Sequence, residues 1–438
     1  MDQLSLYDIE YEQYKITKPI RLIELFSGYG SQALALKYLG VPFEHWKTCE
    51  WAIKSIQAYK DIHFTDIDIE LNPKRTKEDM IEFLYQKGIS SNYNEPMSKQ
   101  QISRLSEEQL KTIIKNIAIT HNLVNIQQVK GKDLEIVDTD KYEYIMTYSF
   151  PCQDLSLAGK GKGMSDTSTR SGMLWEVERI LTETENKPQI LLMENVPQVH
   201  SQDNLKDFIK WQNKLEELGY KNYWKDLIAT DYGIPQTRNR TFMISILGDY
   251  NYTFPKPIPL KLKLKDMLED NVDEKYYLSD DLLQHIKKTS EEHEEYTQYE
   301  RYNGYLEMWC RVWKDKSPTL NTKCKDTKIY VKNATKKGYL EATEGDGIDI
   351  SSRMKYHRGN VQKGKSQTIT TMGGENVGVV INNLRIRKLT PRECFRLMGV
   401  KDEDYDNVCK NQSDSSLYHL AGDSIVVNVL MAIFKEIL

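Results

Sequence analysis

A thiol, a carboxylate and two guanidinium groups carry the chemistry that this sequence offers. Cys152 stands in Tyr148-Ser149-Phe150-Pro151-Cys152-Gln153, directly after Lys141-Tyr142-Glu143-Tyr144-Ile145-Met146-Thr147. The alternation and β-forming residues of that run predict a buried strand, and Pro151, which has no N–H to donate, ends it. Behind Cys152 comes Ala158-Gly159-Lys160-Gly161-Lys162-Gly163-Met164, a glycine loop whose lysines can approach a polyanion. A thiol at a strand tip beside such a loop points to a nucleophile presented to a nucleic acid. Taken alone, Cys152 reads more readily as a buried structural cysteine, the commoner fate of a free thiol. Glu194 closes the apolar run Pro188–Met193, which has the composition of a strand buried on both faces. In a parallel sheet it falls on the same edge as Cys152, where open α/β sheets bind ligands. Arg238 and Arg240 are two residues apart and share a face of an extended segment. They suit an anion grip or, more plainly, a solvated strand edge.

The elements that must position these groups alternate between strand and helix. Ile20–Phe26 reads as a strand, Ser27-Gly28-Tyr29-Gly30-Ser31-Gln32-Ala33 as a turn, and Leu34–Leu39 as a helix closed by Gly40. The G-x-G-x-x-A spacing fits a dinucleotide fingerprint. A second strand, Trp46–Cys49, ends at Glu50-Trp51, 20 residues past Gly30, where an acidic group takes a ribose hydroxyl pair. Trp51 could stack on an adenine, although an exposed glutamate beside a core tryptophan explains the pair as well. Residues 65–129 change rhythm, with capped helix starts at Thr76-Lys77-Glu78-Asp79 and Ser106-Glu107-Glu108-Gln109. They read as a helical insertion with a packing or docking role and no chemistry. The alternation resumes with a helix at Trp175–Thr184, a helix at Leu205–Leu218, the run Lys221–Ile228 and a strand at Thr241–Leu247.

Pro255, Pro257 and Pro259 mark a boundary. Beyond it Asp280–Thr289 reads as a helix, Glu291–Glu300 as an acidic solvated stretch, and the remainder to Val380 as irregular. Tyr302, Tyr305, Trp309, Trp313, Tyr356 and His357 interleave there with bases, in the manner of a loop-built nucleic-acid reader or a small satellite core. The tail predicts a helix from Pro391 to Met398 and a last helix from Ser424 to Leu438 with one broad apolar stripe. The organisation expected is a catalytic domain over 1–250, a recognition domain over 251–400, and a segment over 401–438 that returns to the first.

Bulk properties narrow the class. With 39% hydrophobic and 28% charged residues the composition is that of a globular protein, and no apolar run was expected to reach the ~18 residues of a spanning helix, so a cytoplasmic protein without membrane partners is predicted. Six cysteines without a C-x-x-C pair argue against zinc and against a disulfide framework. The net charge of −4 does not itself favour nucleic acid. A local patch does: Ser351–Gly374 contains no acid but holds Arg353, Lys355, Arg358, Lys363 and Lys365.

Taken in order, the segments Phe26–Gly30, Glu50-Trp51, Asp133-Leu134, Phe150–Gln153, Glu194–Val196, Gln236–Arg240, Arg387–Glu393 and Gly422–Asn428 resemble the C5-cytosine DNA methyltransferases of bacterial and phage restriction-modification systems. The resemblance implies a Rossmann-like α/β methyltransferase domain with a mostly parallel sheet, a smaller irregular target-recognition domain, and S-adenosylmethionine as cofactor. Phe26, Gly28 and Gly30 would line the cofactor, Glu50 hold its ribose, and Trp51, Asp133 and Leu134 face its adenine, with Ser424 and Asn428 closing the pocket. Cys152 would attack C6 of a flipped cytosine, Glu194 support N3, and Arg240 hold the O2 edge. Gln153, Ser156 and Arg238 would position loop, phosphate and sugar. Lys160, Lys162, Arg353, Lys355 and Arg358 are further DNA-contact candidates. Double-stranded DNA is the expected partner of a monomer, with any cognate restriction endonuclease acting separately. Glu24 and Asp423 depart from the usual Asp and Asn, and the insertion is unusual. The competing readings are tRNA cytosine methylation, a nucleotide-dependent oxidoreductase, which leaves Cys152, Glu194 and the arginines without roles, and a catalytically silent DNA-binding relative.

Overall fold

The computed structural model describes residues 12–151, 171–277, 297–302, 306–312, 329–335, 339–350, 359–371, 376–381 and 386–438. Its centre is a six-stranded sheet of β1 (Ile20–Leu25), β2 (Phe43–Cys49), β3 (Glu143–Tyr148), β4 (Ile190–Asn195), β5 (Tyr220–Ile228) and β6 (Asn239–Leu247), in the order β2-β1-β3-β4-β6-β5. The first four are parallel, while β6 runs antiparallel to both β4 and β5. In-register pairing sets Tyr148 beside Met193, so the residues that follow β3 and those that end β4 leave the sheet at one edge. Because β6 runs the other way, its first residues reach that same edge, with Asn195 opposite Thr241.

Alternation along the strands makes two cores. Leu22, Ile145, Ile190, Leu192, Phe242 and Ile244 face one side, where α1 (Ser31–Leu39) packs with the last helix, Val427–Lys435. Ile23, Tyr144, Met146, Leu191, Met193 and Met243 face the other, covered by α6 (Leu174–Glu183) and α7 (Leu205–Glu217), whose Phe208 and Trp211 are fully buried. The result is a three-layer α/β/α arrangement. Helix α2 (Ile53–His63) follows β2, and α3 (Lys77–Lys87), α4 (Lys99–Ser103) and α5 (Glu107–Ile119) form the insertion. The predicted capping boxes are present: Thr76 with Asp79 at α3, Ser106 with Gln109 at α5. The insertion buries its own cluster, including Met80, Leu84, Ile102, Leu110 and Ile114.

Beyond Pro255 the chain is more regular than its composition suggests. Two antiparallel four-stranded sheets form, one of β7 (Thr297–Tyr302), β8 (Leu306–Val312), β9 (Ile329–Lys332) and β10 (Tyr339–Ala342), the other of β11 (Gly347–Asp349), β12 (Val361–Gln362), β13 (Val377–Val380) and β14 (Ile386–Lys388). The short strands hid among Gly, Asn and Thr, and part of the stretch read as acidic and solvated, 297–300, is paired in β7. The helix expected at 280–289 lies outside the described residues. The boundary expected at residue 400 runs through one packed core: Leu264, Met267, Ile369, Val377 and Val379 share a cluster with Phe395 and Leu397 of the helix Pro391–Leu397 and with the last helix.

Contrary to the sequence expectation, Asp414–Lys435 is long and apolar enough to cross a membrane. Its most apolar 18-residue stretch is nonetheless 67% buried within the fold. The segment is also broken at Ser424–Val426 into the helices Asp414–Asp423 and Val427–Lys435, the behaviour of core helices in a globular protein.

Candidate active site

At the edge where β1, β3 and β4 end lies a cavity of about 460 Å³. Its walls come from the glycine turn, the end of β2, the insertion, the β3 and β4 tips, the start of β6 and the segment leading into the last helix. The turn is shaped by residues with positive φ: Phe26 at 58°, Gly28 at 53° and Gly30 at 83°. Gly28 lines the cavity, and nothing stands within 4 Å of the place a Cβ would occupy there, so the turn is open to a ligand. Gly30 plays another part. It sits behind the turn as the N-cap of α1, where a Cβ would meet His63 Nε2 at 2.4 Å and Tyr59 Cε2 at 2.6 Å. Expected to line the cofactor, it instead permits close packing of α2.

Phe26, Glu50 and Trp51 line the cavity as expected. The Glu50 carboxylate accepts the N–H of Gly28 at 3.1 Å and that of Ala52 at 2.8 Å, which ties the β2 tip to the glycine turn. Burial pushes its carboxyl up to about 7, helped by the nearby Asp423, while the two backbone N–H groups oppose the shift. Ser424 also lines the cavity.

Besides Gly30, three expected cofactor positions do not. Asp133 accepts the N–H of Lys130 at 2.9 Å as the cap of a short 3-10 turn, and Leu134 is fully buried in the core beneath α6, its carbonyl accepting from Trp46 Nε1 at 2.8 Å. The acid–aliphatic pair matched by type but lies past the cavity. Its place is taken by Asn125 and Ile126, which line the wall beside Val124. The local signal was the return from α5 to the sheet: Thr48 bridges Asn122 in parallel fashion, and the Asn122 side chain pairs with the Glu50 backbone N–H and carbonyl, both at 3.0 Å. Asn428 points away from the cavity, its Oδ1 2.4 Å from where a Gly399 Cβ would stand. From this segment Gly422, Asp423 and Ile425 line the cavity beside Ser424, together with His419 of the preceding helix.

At the sheet edge Glu194 is 7% exposed and pairs with Arg240, Nε to Oε1 at 3.1 Å. Burial raises its carboxyl above the ordinary glutamate value against the pull of Arg240 and then Arg238. Asn195, next in β4, donates from Nδ2 to the Phe150 carbonyl at 3.0 Å and so fixes the segment that ends in Pro151. Ser149, Phe150 and Pro151 line the cavity with Glu194 and Arg240. Cys152, Gln153, Ser156, Lys160 and Lys162, and with them Arg353, Lys355 and Arg358, lie outside the described residues.

Arg238 departs from its expected place on DNA. It is 4% exposed and donates to the carbonyls of Ile369 at 3.1 Å, Gly422 at 2.9 Å and Ser424 at 2.7 Å. Burial, then repulsion from Arg240, lowers its guanidinium to about 9. Its neighbour Gln236 donates to the Leu397 carbonyl at 2.7 Å and accepts the Ile369 N–H at 3.2 Å. One arginine therefore binds the start of β6 to the segment before the last helix, and only Arg240 reaches Glu194.

Sheet order, covering helices and a cavity at the strand ends define a Rossmann-like methyltransferase fold. The chain belongs to the C-5 cytosine-specific DNA methylases, whose family model matches residues 96–438, and it is a DNA (cytosine-5-)-methyltransferase of the restriction-modification type. It is 33% identical over 421 residues to type II methyltransferase M2.ScrFI of Lactococcus lactis subsp. cremoris, covering 95% of this chain and 99% of that one. To orphan methyltransferase M.SssI of Spiroplasma monobiae it is 31% identical over 432 residues, covering 96% and 98%. Among solved structures, the Entamoeba histolytica methyltransferase EhMeth shares the fold with a TM-score of 0.55 at 14% identity, covering 96% of this chain and 98% of that one.

Proposed function

We propose that the enzyme transfers a methyl group from S-adenosylmethionine to C5 of a cytosine flipped out of double-stranded DNA, through a covalent bond between Cys152 and C6. The observation that carries this reading is the buried Glu194–Arg240 pair, held 3.1 Å apart in the same cavity as the open glycine turn and the segment that leads to Cys152. C5 of cytosine is a poor nucleophile, and addition of a thiolate at C6 converts the ring into an enamine that attacks from C5; loss of the C5 proton to a base then expels the thiolate and restores the ring. Glu194, with its raised pKa, can hold a proton at N3 and draw density from the ring as the C6 bond forms. Arg240 both fixes that carboxyl and offers its remaining N–H groups to O2.

The residues present fit the cofactor. Gly28 leaves room at the turn, Glu50 stands where a ribose hydroxyl pair would bind, and Trp51, Asn125 and Ile126 offer a slot for a purine. When bound there, S-adenosylmethionine supplies an electrophilic methyl group. The chain's own work is to orient the cytosine, exclude water and manage the N3 proton. Reaching a base inside a duplex requires extrusion at a cost of about a few kcal/mol, which phosphate contacts and the Gly-Lys-Gly-Lys-Gly segment would offset. Recognition is assigned to about 251–384, with the helix Pro391–Leu397 part of the catalytic core.

The test is labelled S-adenosylmethionine with unmethylated genomic DNA, beside Cys152→Ser, and sequencing for 5-methylcytosine. Methylation in one short motif that the variant cannot make is the expected result. Label on tRNA alone would replace DNA as the substrate, and label from Cys152→Ser would exclude the covalent route.

A further inference from the structure

The insertion, read from sequence as having no chemistry, reaches the cavity. Between α3 and α4 the chain doubles back, with Ser90 Oγ donating to the Glu95 carbonyl at 2.7 Å and Asn92 Oδ1 accepting the Asn94 N–H at 3.0 Å. This turn sets Tyr93, Asn94 and Glu95 on the cavity wall. The Tyr93 ring stacks on His419, centroids 3.9 Å apart and planes 14° apart. His419 Nδ1 lies 3.2 Å from the Asp423 carboxylate, which lines the same wall.

Two features of Tyr93 oppose a purely packing role. Its φ is +62°, a conformation that side-chain-bearing residues rarely adopt. Its hydroxyl is buried beside Ser55 and Ser416 without a well-aligned hydrogen bond to either, and within electrostatic reach of Glu50. Folding disfavours both strain and an unmade buried hydrogen bond, and their coincidence on a cavity wall marks a place prepared for a ligand.

We infer that Tyr93, stacked on His419 of the helix Asp414–Asp423, is a further contribution of the insertion to the cofactor site, the pair closing its nucleoside side, with the Tyr93 hydroxyl bonding the ribose of S-adenosylmethionine next to Glu50. The inference rests on the cofactor reading given above. It makes cofactor affinity depend on residues 65–129 while the chemistry at Glu194 does not.

Calorimetric titration with S-adenosylmethionine and with S-adenosylhomocysteine tests this on the full chain, comparing Tyr93→Phe, Tyr93→Leu, His419→Ala, the Tyr93→Leu/His419→Ala pair and Glu50→Ala. Loss of the stack in Tyr93→Leu is expected to weaken both ligands about tenfold. Tyr93→Phe, which keeps the ring, is expected to weaken them by about three- to tenfold. The double variant should lose less than the product of the single losses. The KM for the cofactor should rise with kcat within about twofold, the pattern of lost ground-state binding. If Tyr93→Leu does not fold, Tyr93→Phe decides. Wild-type affinity in Tyr93→Phe and in any folded Tyr93→Leu, with Glu50→Ala weakened, would overturn the inference and leave the cofactor reading standing. If Glu50→Ala is silent as well, the cofactor reading falls and takes the inference with it.

Discussion

Glu194 shows how a side chain acquires its chemistry from its surroundings. A glutamate in water is ionised at neutral pH, but one that is 7% exposed loses hydration and keeps its proton to higher pH. Arg240 at 3.1 Å moderates that shift and fixes the carboxyl's direction. Glu194→Gln keeps the shape and removes the transferable proton, so kcat is expected to fall by roughly 10²- to 10⁴-fold with DNA affinity nearly intact, measured in single-turnover methylation. The sign of the pH effect follows from the direction of the shift. If the protonated form supports N3, the rate declines as pH rises through the raised Glu194 value, and a rate that climbs steadily through that range would contradict the role. Arg240→Ala removes the group that favours ionisation, so the same limb should move to higher pH.

Arg238 acts at the scale of elements. Its three carbonyl partners lie on two other segments, and Gly422 can approach them only because it lacks a Cβ, which would stand 2.5 Å from the backbone of Thr370 and Thr371. Arg238→Met leaves three buried carbonyls without a donor and should cost on the order of 3 kcal/mol, read as a lower urea midpoint. Were the residue a phosphate contact, stability would hold while DNA affinity fell. Gly422→Ala is expected to lose about 1–3 kcal/mol and to weaken cofactor binding, since the backbone must shift beside Ser424 on the cavity wall. The sequence showed two arginines on one face. It gave no means of seeing that strand and loop would enclose the first and leave the second beside Glu194.

Across the whole molecule, buried carboxyls set the pH response. Burial raises Glu24, Glu50 and Glu143 to about 7. Glu24 carries the departure from the family's usual Asp: it accepts from the Tyr59 hydroxyl at 2.5 Å and the Ala33 N–H at 3.3 Å, which pins α1 and α2 to β1. A carboxyl raised on folding contributes stability that is full below its unfolded value near 4.5 and is lost as pH rises through about 7. Unfolding followed by fluorescence should therefore show lower stability at pH 8 than at pH 5.5. Glu24→Gln should flatten that decline by up to about 3 kcal/mol, and an unchanged slope would place the titration elsewhere.

What the sequence determined by itself is what local physics dictates. Strand–turn–helix alternation, the capping boxes at Thr76 and Ser106, the ends of β3 shortly before Pro151 and of β4 just past Glu194, and the edge they share all follow from propensity, periodicity and the short reach of β-α connections. The tertiary structure decided which of several chemically similar residues meet in space. Asn125 and Ile126 rather than Asp133 and Leu134 reach the cavity, Gly30 and Asn428 turn away from it, and Tyr93 arrives from an insertion about 40 residues past Glu50. Burial and direction depend on which distant segments close over a site, and a residue's type and spacing along the chain do not contain that information.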